Sequence, residues 1–266
     1  MQVSAGKSIS ALVGCLALCL AQQAIAAPYW TTFGGTNIGT IDSTTGVGTV
    51  VGPTGHAGTY GVAEDPTSNI LYATYGTTLA TVNKSTGALT TVGNMGISIF
   101  GITFDASGAL WTVSTGTGLY TVNKASGAVT LVGNGTPAGG WMDIAFSGGG
   151  VLYGVDGPRL YTINTGTGAS TLVATFSGPC TDVMSIGFDT GGTLYGADYS
   201  AGKFCSINPG TAVTTLIGPT GVANPHGGDF GTPAPVPAPT LGEWAKIAFA
   251  GLLLAVGIGA IRRRQA

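Results

Sequence analysis

Apolar and polar residues alternate in short runs along most of the chain, and Gly, Ser, Thr, Asn and Asp separate the runs. The clearest are Leu119-Tyr120-Thr121-Val122 and Leu160-Tyr161-Thr162-Ile163, which end on Asn123 and Asn164. A second alternating run follows each after a Ser/Thr/Gly turn, as in Ala128–Gly133. Alternation with a period of two predicts half-buried strands. An Asx side chain that bonds the backbone two residues on starts a tight turn, so each pair of runs reads as a β-hairpin.

The hairpins repeat. The turn-starting Asx position recurs at Asp42, Asn83, Asn123, Asn164 and Asn208, with spacings of 41, 40, 41 and 44. An aromatic position recurs at Trp30, Tyr72, Trp111, Tyr153 and Tyr195. A further strand and turn precede four of these aromatics. Gly101-Ile102-Thr103-Phe104-Asp105 with Ser107-Gly108 is the type, and Ile186–Asp189, Val62–Asp65 and Ile144–Ser147 are copies. Each unit therefore predicts four strands, A to D, in about 41 residues, the period of a propeller blade. The first unit begins at strand B (Tyr29-Trp30), and Gly228-Asp229-Phe230 reads as a lone strand A at the far end. Joining that strand to the first B, C and D closes a ring and leaves no open edge. The expected fold is an all-β five-bladed propeller over residues 27–231, with a β-solenoid or open sandwich as the rival.

The two ends differ from the repeats. Residues 1–26 read as a signal peptide: Lys7, an apolar stretch from Ile9 to Leu20, and Ala24-Ile25-Ala26 as a small-x-small cleavage site. Leu12-Val13-Gly14-Cys15 also fits a lipobox, but the apolar run continues past Cys15. Residues 232–239 form a Pro-rich linker, stiff and extended. Residues 240–266 hold an apolar run from Ile247 to Ile261, then Arg262, Arg263 and Arg264. A helix over that run spans roughly 22 Å, and Trp244 and Lys246 extend it toward the roughly 30 Å hydrocarbon core. Arginines after a span stay cytoplasmic, which leaves the repeats outside.

Composition narrows the function. Glycine contributes 47 of 266 residues, charged residues 8%, and the net charge is −2. Low charge with high apolar content excludes a disordered chain, and the absence of a basic face excludes a nucleic-acid binder. Residues 27–232 carry four Lys/Arg against ten Asp/Glu, a net of −6.

Cys180 and Cys205 remain once the signal is removed, and in an oxidising compartment they are expected to pair. His56 and His226 fall in D–A loops, and a metal site there would draw on Asp156 or Asp198; two exposed loop histidines are the plainer expectation, so no metal and no cofactor are expected. Asp65, Asp105 and Asp189 follow strand A and are expected to cap A–B turns. Asp156 and Asp198 end strand B in Tyr-Gly-x-Asp. With His56, Trp141, Arg159, Asp182 and His226 they gather the unusual residues on the face of the D–A and B–C loops, the expected ligand face. A glycosidase needs two converging carboxylates, for which Asp143 and Asp229 are the candidates. No further catalytic set is legible, so a non-enzymatic binding protein is expected, with an extracellular hydrolase or lyase as the alternative.

Two resemblances bear on this. Pro239-Thr240-Leu241, Glu243 and Trp244, the apolar run and the Arg cluster resemble the exosortase-type C-terminal sorting signals of Gram-negative bacteria, in the Ile-Pro-Thr-Leu variant. Ala238 stands where that family has Ile. The resemblance implies export through the inner membrane and recognition by a membrane-embedded processing enzyme. Display or release at the cell surface follows, often among extracellular polysaccharide and biofilm; the other reading of the tail is a plain anchor. The repeats of residues 29–231 resemble the YVTN and quinoprotein-like propellers, which implies the fold rather than an activity.

Overall fold

The computed structural model describes residues 27–231 except 115, 117, 136, 138 and 139. The signal segment, the Pro-rich linker and the C-terminal sorting motif lie outside the described residues. The described chain forms five antiparallel four-stranded sheets. Blade 1 holds β1 (Tyr29–Phe33), β2 (Asn37–Ile41) and β3 (Gly48–Pro53). Blade 2 holds β4 (Thr59–Glu64), β5 (Leu71–Tyr75), β6 (Thr78–Val82) and β7 (Leu89–Asn94). Blade 3 holds β8 (Ile99–Phe104), β9 (Leu110–Ser114), β10 (Gly118–Val122) and β11 (Val129–Gly133). Blade 4 holds β12 (Asp143–Phe146), β13 (Leu152–Val155), β14 (Arg159–Ile163) and β15 (Ser170–Thr175). Blade 5 holds β16 (Val183–Phe188), β17 (Leu194–Asp198), β18 (Lys203–Ile207) and β19 (Thr214–Pro219). The last strand, β20 (Pro225–Phe230), returns to pair with β1 and completes blade 1, as the strand count requires. The innermost strands β4, β8, β12, β16 and β20 pack side by side around the axis.

The expected turns form as the Asx residues dictate. Asn164 Oδ1 accepts the Gly166 and Thr167 N–H groups at 2.9 and 3.0 Å, and Asp42, Asn83, Asn123 and Asn208 act alike. Four residues on, the chain passes through positive φ at Gly46, Gly87, Gly127 and Gly168; in blade 5 Ala212 adopts it at 54°. Asp65, Asp105 and Asp189 cap their A–B turns, accepting N–H groups of Thr67, Ser107 and Thr193.

Neighbouring blades meet through two repeated devices. A bulged glycine in strand D presses against the C–D turn of the next blade. A Cβ at Gly93 would lie 1.9 Å from the Ser126 carbonyl oxygen, and one at Gly133 would lie 1.8 Å from that of Thr167. Ala174 takes this place in blade 4, and the junction to blade 5 is built differently. Residues 176–181 run past β19, Ser177 bridges Val213, and Cys180 bonds Cys205. This connection supplies one of the three extra residues in the last spacing of 44, and the longer B–C loop of blade 5 supplies the other two. The second device is an aromatic pair between strand B of one blade and strand A of the next: Tyr72–Phe104, Trp111–Phe146, Tyr153–Phe188 and Tyr195–Phe230, with centroids 5.1 to 5.8 Å apart.

Candidate functional site

Five copies of strand A give the channel a layered lining, since equivalent residues of each repeat sit at one height. The end formed by the D–A and B–C loops carries Tyr60, Phe100, Met142, Met184 and His226. The end formed by the A–B turns carries Glu64, Phe104, Phe146, Phe188 and Phe230.

The residues predicted for the first end are placed there, yet most are committed to the fold. Trp141 is wholly buried and packs edge-on against Tyr161, centroids 5.5 Å apart. Asp156 is buried; it accepts from Arg159 Nη2 at 2.6 Å, from the Tyr161 hydroxyl at 3.0 Å and from the Arg159 N–H at 3.1 Å. Burial first and Asp156 second push the Tyr161 hydroxyl up to about 12. Asp198 Oδ2 accepts the Thr181 and Asp182 N–H groups at 2.8 and 3.0 Å, and its Oδ1 takes that of Ala201 at 2.7 Å. Asp182 in turn accepts from Ser200 Oγ. These carboxylates fasten loops, as buried acceptors beside free backbone N–H groups must.

The histidines depart from the expected pair of exposed loop residues. His56 is exposed and stacks on Tyr75, centroids 4.0 Å apart. His226 instead lies inside β20, 3% exposed, tilted against Tyr60 at 4.8 Å and Phe100 at 5.2 Å. The strand starts three residues earlier than the sequence pattern showed, because Pro225 and His226 pair with Phe33 and Thr32 across a bulge. Burial pulls the His226 imidazole down to about 4, so it is neutral at physiological pH. Among the described residues no group of three His, Cys, Asp or Glu side chains is placed to hold a metal. Cys180 and Cys205 are joined, with Cα atoms 6.4 Å apart.

The A–B end holds a recess that the sequence reading did not assign, although it named Asp229 as a carboxylate candidate and Asp105 and Asp189 as turn caps. A recess of about 350 Å³ opens there, walled by Phe104, Phe146, Phe188 and Phe230 and edged by Glu64, Asp105, Asp189 and Asp229. Phe146, Phe188 and Phe230 are half-buried, each backed by the Trp or Tyr of the preceding blade. At the fifth junction Glu64 replaces phenylalanine and stands beside Trp30 across Gly231. A Cβ at Gly231 would lie 2.7 Å from Glu64 Oε2 and 2.8 Å from Trp30 Nε1. Lys84 pairs with Glu64 at 2.6 Å.

Asp229 forms the floor of the recess and accepts the Glu64 N–H at 3.1 Å. Burial pushes its carboxyl up to about 7 against the pull of the Glu64 and Phe230 N–H groups. Asp143 lies deeper, fully buried, and its Oδ2 accepts the Ile186 and Gly228 N–H groups at 2.8 and 2.9 Å. It clamps three innermost strands, and burial pushes it well above the usual carboxylate range. On the rim Asp105 accepts from Trp111 Nε1 at 3.0 Å and from Ser107 Oγ at 2.6 Å. Burial opposes ionisation there, but these bonds outweigh it and hold the carboxyl low. The signal for this recess was in the sequence: one repeat position reads Glu, Phe, Phe, Phe, Phe.

No protein-family model matches the chain, and no curated protein matches it. Solved structures do resemble it. A chain of a nidogen/laminin complex is 14% identical with a TM-score of 0.55, over 76% of this chain and 80% of that one. A symmetrical protein from work on de novo evolutionary emergence is 17% identical with a TM-score of 0.54, over 78% and 100%. A gluconolactonase from Xanthomonas campestris is 16% identical with a TM-score of 0.51, over 74% and 76%. At such identities the likeness shows the propeller fold alone.

Proposed function

We propose that the chain is an exported cell-surface or extracellular-matrix protein whose propeller is a non-enzymatic binding module, with its ligand seated at the A–B end. The recess carries this reading: an apolar-walled concavity with a few polar groups at one end of a rigid scaffold is the usual form of a binding site. Of the two carboxylates a hydrolase would employ, Asp143 is enclosed and spends an oxygen on two backbone N–H groups. Export rests on the signal-like residues 1–26, and sorting by a membrane-embedded processing enzyme rests on Pro239, Thr240, Leu241, Glu243, Trp244 and the three arginines. The Cys180–Cys205 bridge suits an oxidising compartment. Occurrence of the fold in a nidogen/laminin complex is in keeping with an interaction role. Extracellular polysaccharide and envelope protein are the partners to try first.

One observation favours a second reading. Asp229, at the floor of the recess and titrating at about 7, has the strength a general base needs. An extracellular hydrolase or lyase would use it.

Two measurements separate these. Intact mass of the native protein, fraction by fraction, is expected to give a species starting near Ala27 and ending near Pro239 at the surface or in the medium. A species retaining Arg262–Arg264 only in the inner membrane would replace sorting by plain anchoring. Full chain titrated with the host's soluble exopolysaccharide is expected to bind saturably without releasing reducing ends or unsaturated products, and Phe188→Ala is expected to abolish binding. Product release lost in Asp229→Asn would establish the enzyme instead.

A further inference from the structure

The recess at the A–B end has a one-sided chemistry. Its phenyl rings neither donate nor accept a conventional hydrogen bond, and its titratable edge consists of Glu64, Asp105, Asp189 and Asp229. The only ionisable groups among its described lining residues are thus carboxylates, which accept when ionised. An anionic ligand would meet like charge in a partly desolvated site. A neutral ligand would gain apolar contact and the Ser147 and Thr190 hydroxyls but would leave the carboxylate charge without a partner. A cation with carbon-bound hydrogens around its charge gains both the ring faces and the carboxylates. Outside the recess the protein makes one such contact with a lining ring: Lys124 Nζ stands 5.8 Å from the Phe104 centroid while it pairs with Asp65 at 2.6 Å.

The fold also shows why the site is acidic on one side. Four of the five junctions place an aromatic pair at this height, and the fifth places Glu64 beside Trp30 with Asp229 one step inside. A ring of five phenylalanines would be an apolar plug. Four rings facing Asp229 and the Lys84-paired Glu64 across a recess of about 350 Å³ make a half-apolar, half-acidic cage large enough for a head group or one sugar ring. The net of −6 over residues 27–232 adds attraction at longer range.

From this juxtaposition of four phenyl rings with Glu64 and Asp229 we infer that the recess takes an ammonium group, carried either by a small alkylammonium compound or by an amino sugar. The inference rests on the reading of the A–B end as the binding site and names the chemistry of its ligand.

The test uses the full chain and two matched pairs, followed by calorimetry or ligand-observed NMR. Choline is compared with 3,3-dimethyl-1-butanol, its uncharged carbon counterpart, and glucosamine with N-acetylglucosamine, in which the amine is neutral. The charged member of at least one pair is expected to bind about tenfold more tightly, the worth of one desolvated cation–π and carboxylate contact. Preference in the first pair identifies a small alkylammonium ligand, and preference in the second an amino sugar. Asp229→Asn is expected to remove the preference while leaving the neutral member's affinity in place, and Phe188→Ala to weaken both members. Equal affinity within both pairs, with loss in Phe188→Ala, would overturn the ammonium inference and leave the binding reading standing. Failure of all four probes at millimolar concentration would overturn it too, and the polysaccharide titration then decides the binding reading separately. Choline preference that persists unchanged in Asp229→Asn and Phe188→Ala would place the cation elsewhere and overturn the assignment of the site.

Discussion

Replacing Asp229 with Asn asks whether the recess floor is held for the fold or against it. Burial raises its carboxyl from 3.8 to about 7. The folded value exceeds the unfolded one, so folding disfavours the ionised form. The cost is absent below about pH 4, grows through the interval up to 7, and is fully present above it. Three units correspond to about 4 kcal/mol, and because Asp229 keeps some solvent contact the expected cost is about 2 to 4 kcal/mol. The groups facing it are Glu64 from β4, Asp143 from β12 and Tyr29 from β1. Lys84 offsets the charge of Glu64, while burial raises Asp143 and Tyr29 and so disfavours their charged forms. Asn retains an oxygen for the Glu64 N–H and carries no charge. Thermal unfolding followed by near-ultraviolet circular dichroism at pH 5 to 8 is expected to show the wild type losing stability as pH rises. Asp229→Asn is expected to melt slightly higher than wild type at pH 5, where about a third of the cost is already present, and roughly 5 to 10 °C higher at pH 8. A variant that is less stable than wild type at every pH would refute the reasoning, since Asp229 would then be a net structural support for β4.

Other substitutions test the scaffold. The double change Cys180→Ser with Cys205→Ser is expected to lower stability by about 3 kcal/mol in denaturant titrations, in line with closure of a loop with a separation of 25 residues. Gly133→Ala, whose Cβ would meet the Thr167 carbonyl at 1.8 Å, is expected to cost about 3 kcal/mol or more by the same assay. The equivalent change in blade 4 has already been made by nature at Ala174, so Ala174→Gly is expected to stay within about 1 kcal/mol of wild type. Removing β20 by a stop after Asn224 is expected to abolish cooperative unfolding, because it exposes the inner edge of β1.

The scaffold was legible because it rests on local rules repeated five times. A period of two, an Asx at each C–D turn and a glycine four residues on are short-range chemistry, and five copies average out the exceptions. Ring closure was legible from counting strands. The site was not, because the residues that make it are judged by height in the ring rather than by neighbours in sequence. Asp156 and Asp198 stood out as polar residues ending apolar strands, yet loop N–H groups across the blade consume them. His226 was assigned to a loop because the Gly-Gly pair after it masks the strand. The phenylalanines carried no signal of their own, since each is one apolar position of a strand A pattern, and behind each half-buried ring an aromatic partner packs.

Along strand A the departures from the repeat collect at the ring-closure seam. Equivalent positions along strand A read Val62, Ile102, Ile144 and Ile186 but then Gly228, and Ala63, Thr103, Ala145 and Gly187 but then Asp229. Gly228 is required there: a Cβ would lie 2.3 Å from both the Tyr29 hydroxyl and Ser185 Oγ, which share a 2.6 Å hydrogen bond beside it. Glu64, the one acidic member of its ring, sits on the strand adjoining β20. A closed ring of equal repeats presents the same surface five times and cannot orient an asymmetric ligand at its axis. Glu64 and Asp229, adjacent at the seam, break that equivalence, and ring closure is where the chain changes most cheaply. β20 is already separated in sequence from the rest of its blade, so its side chains vary without disturbing an A–B hairpin. The seam that makes the propeller stable therefore also gives its axis a direction, with Glu64 and Asp229 where the other four junctions carry phenyl rings.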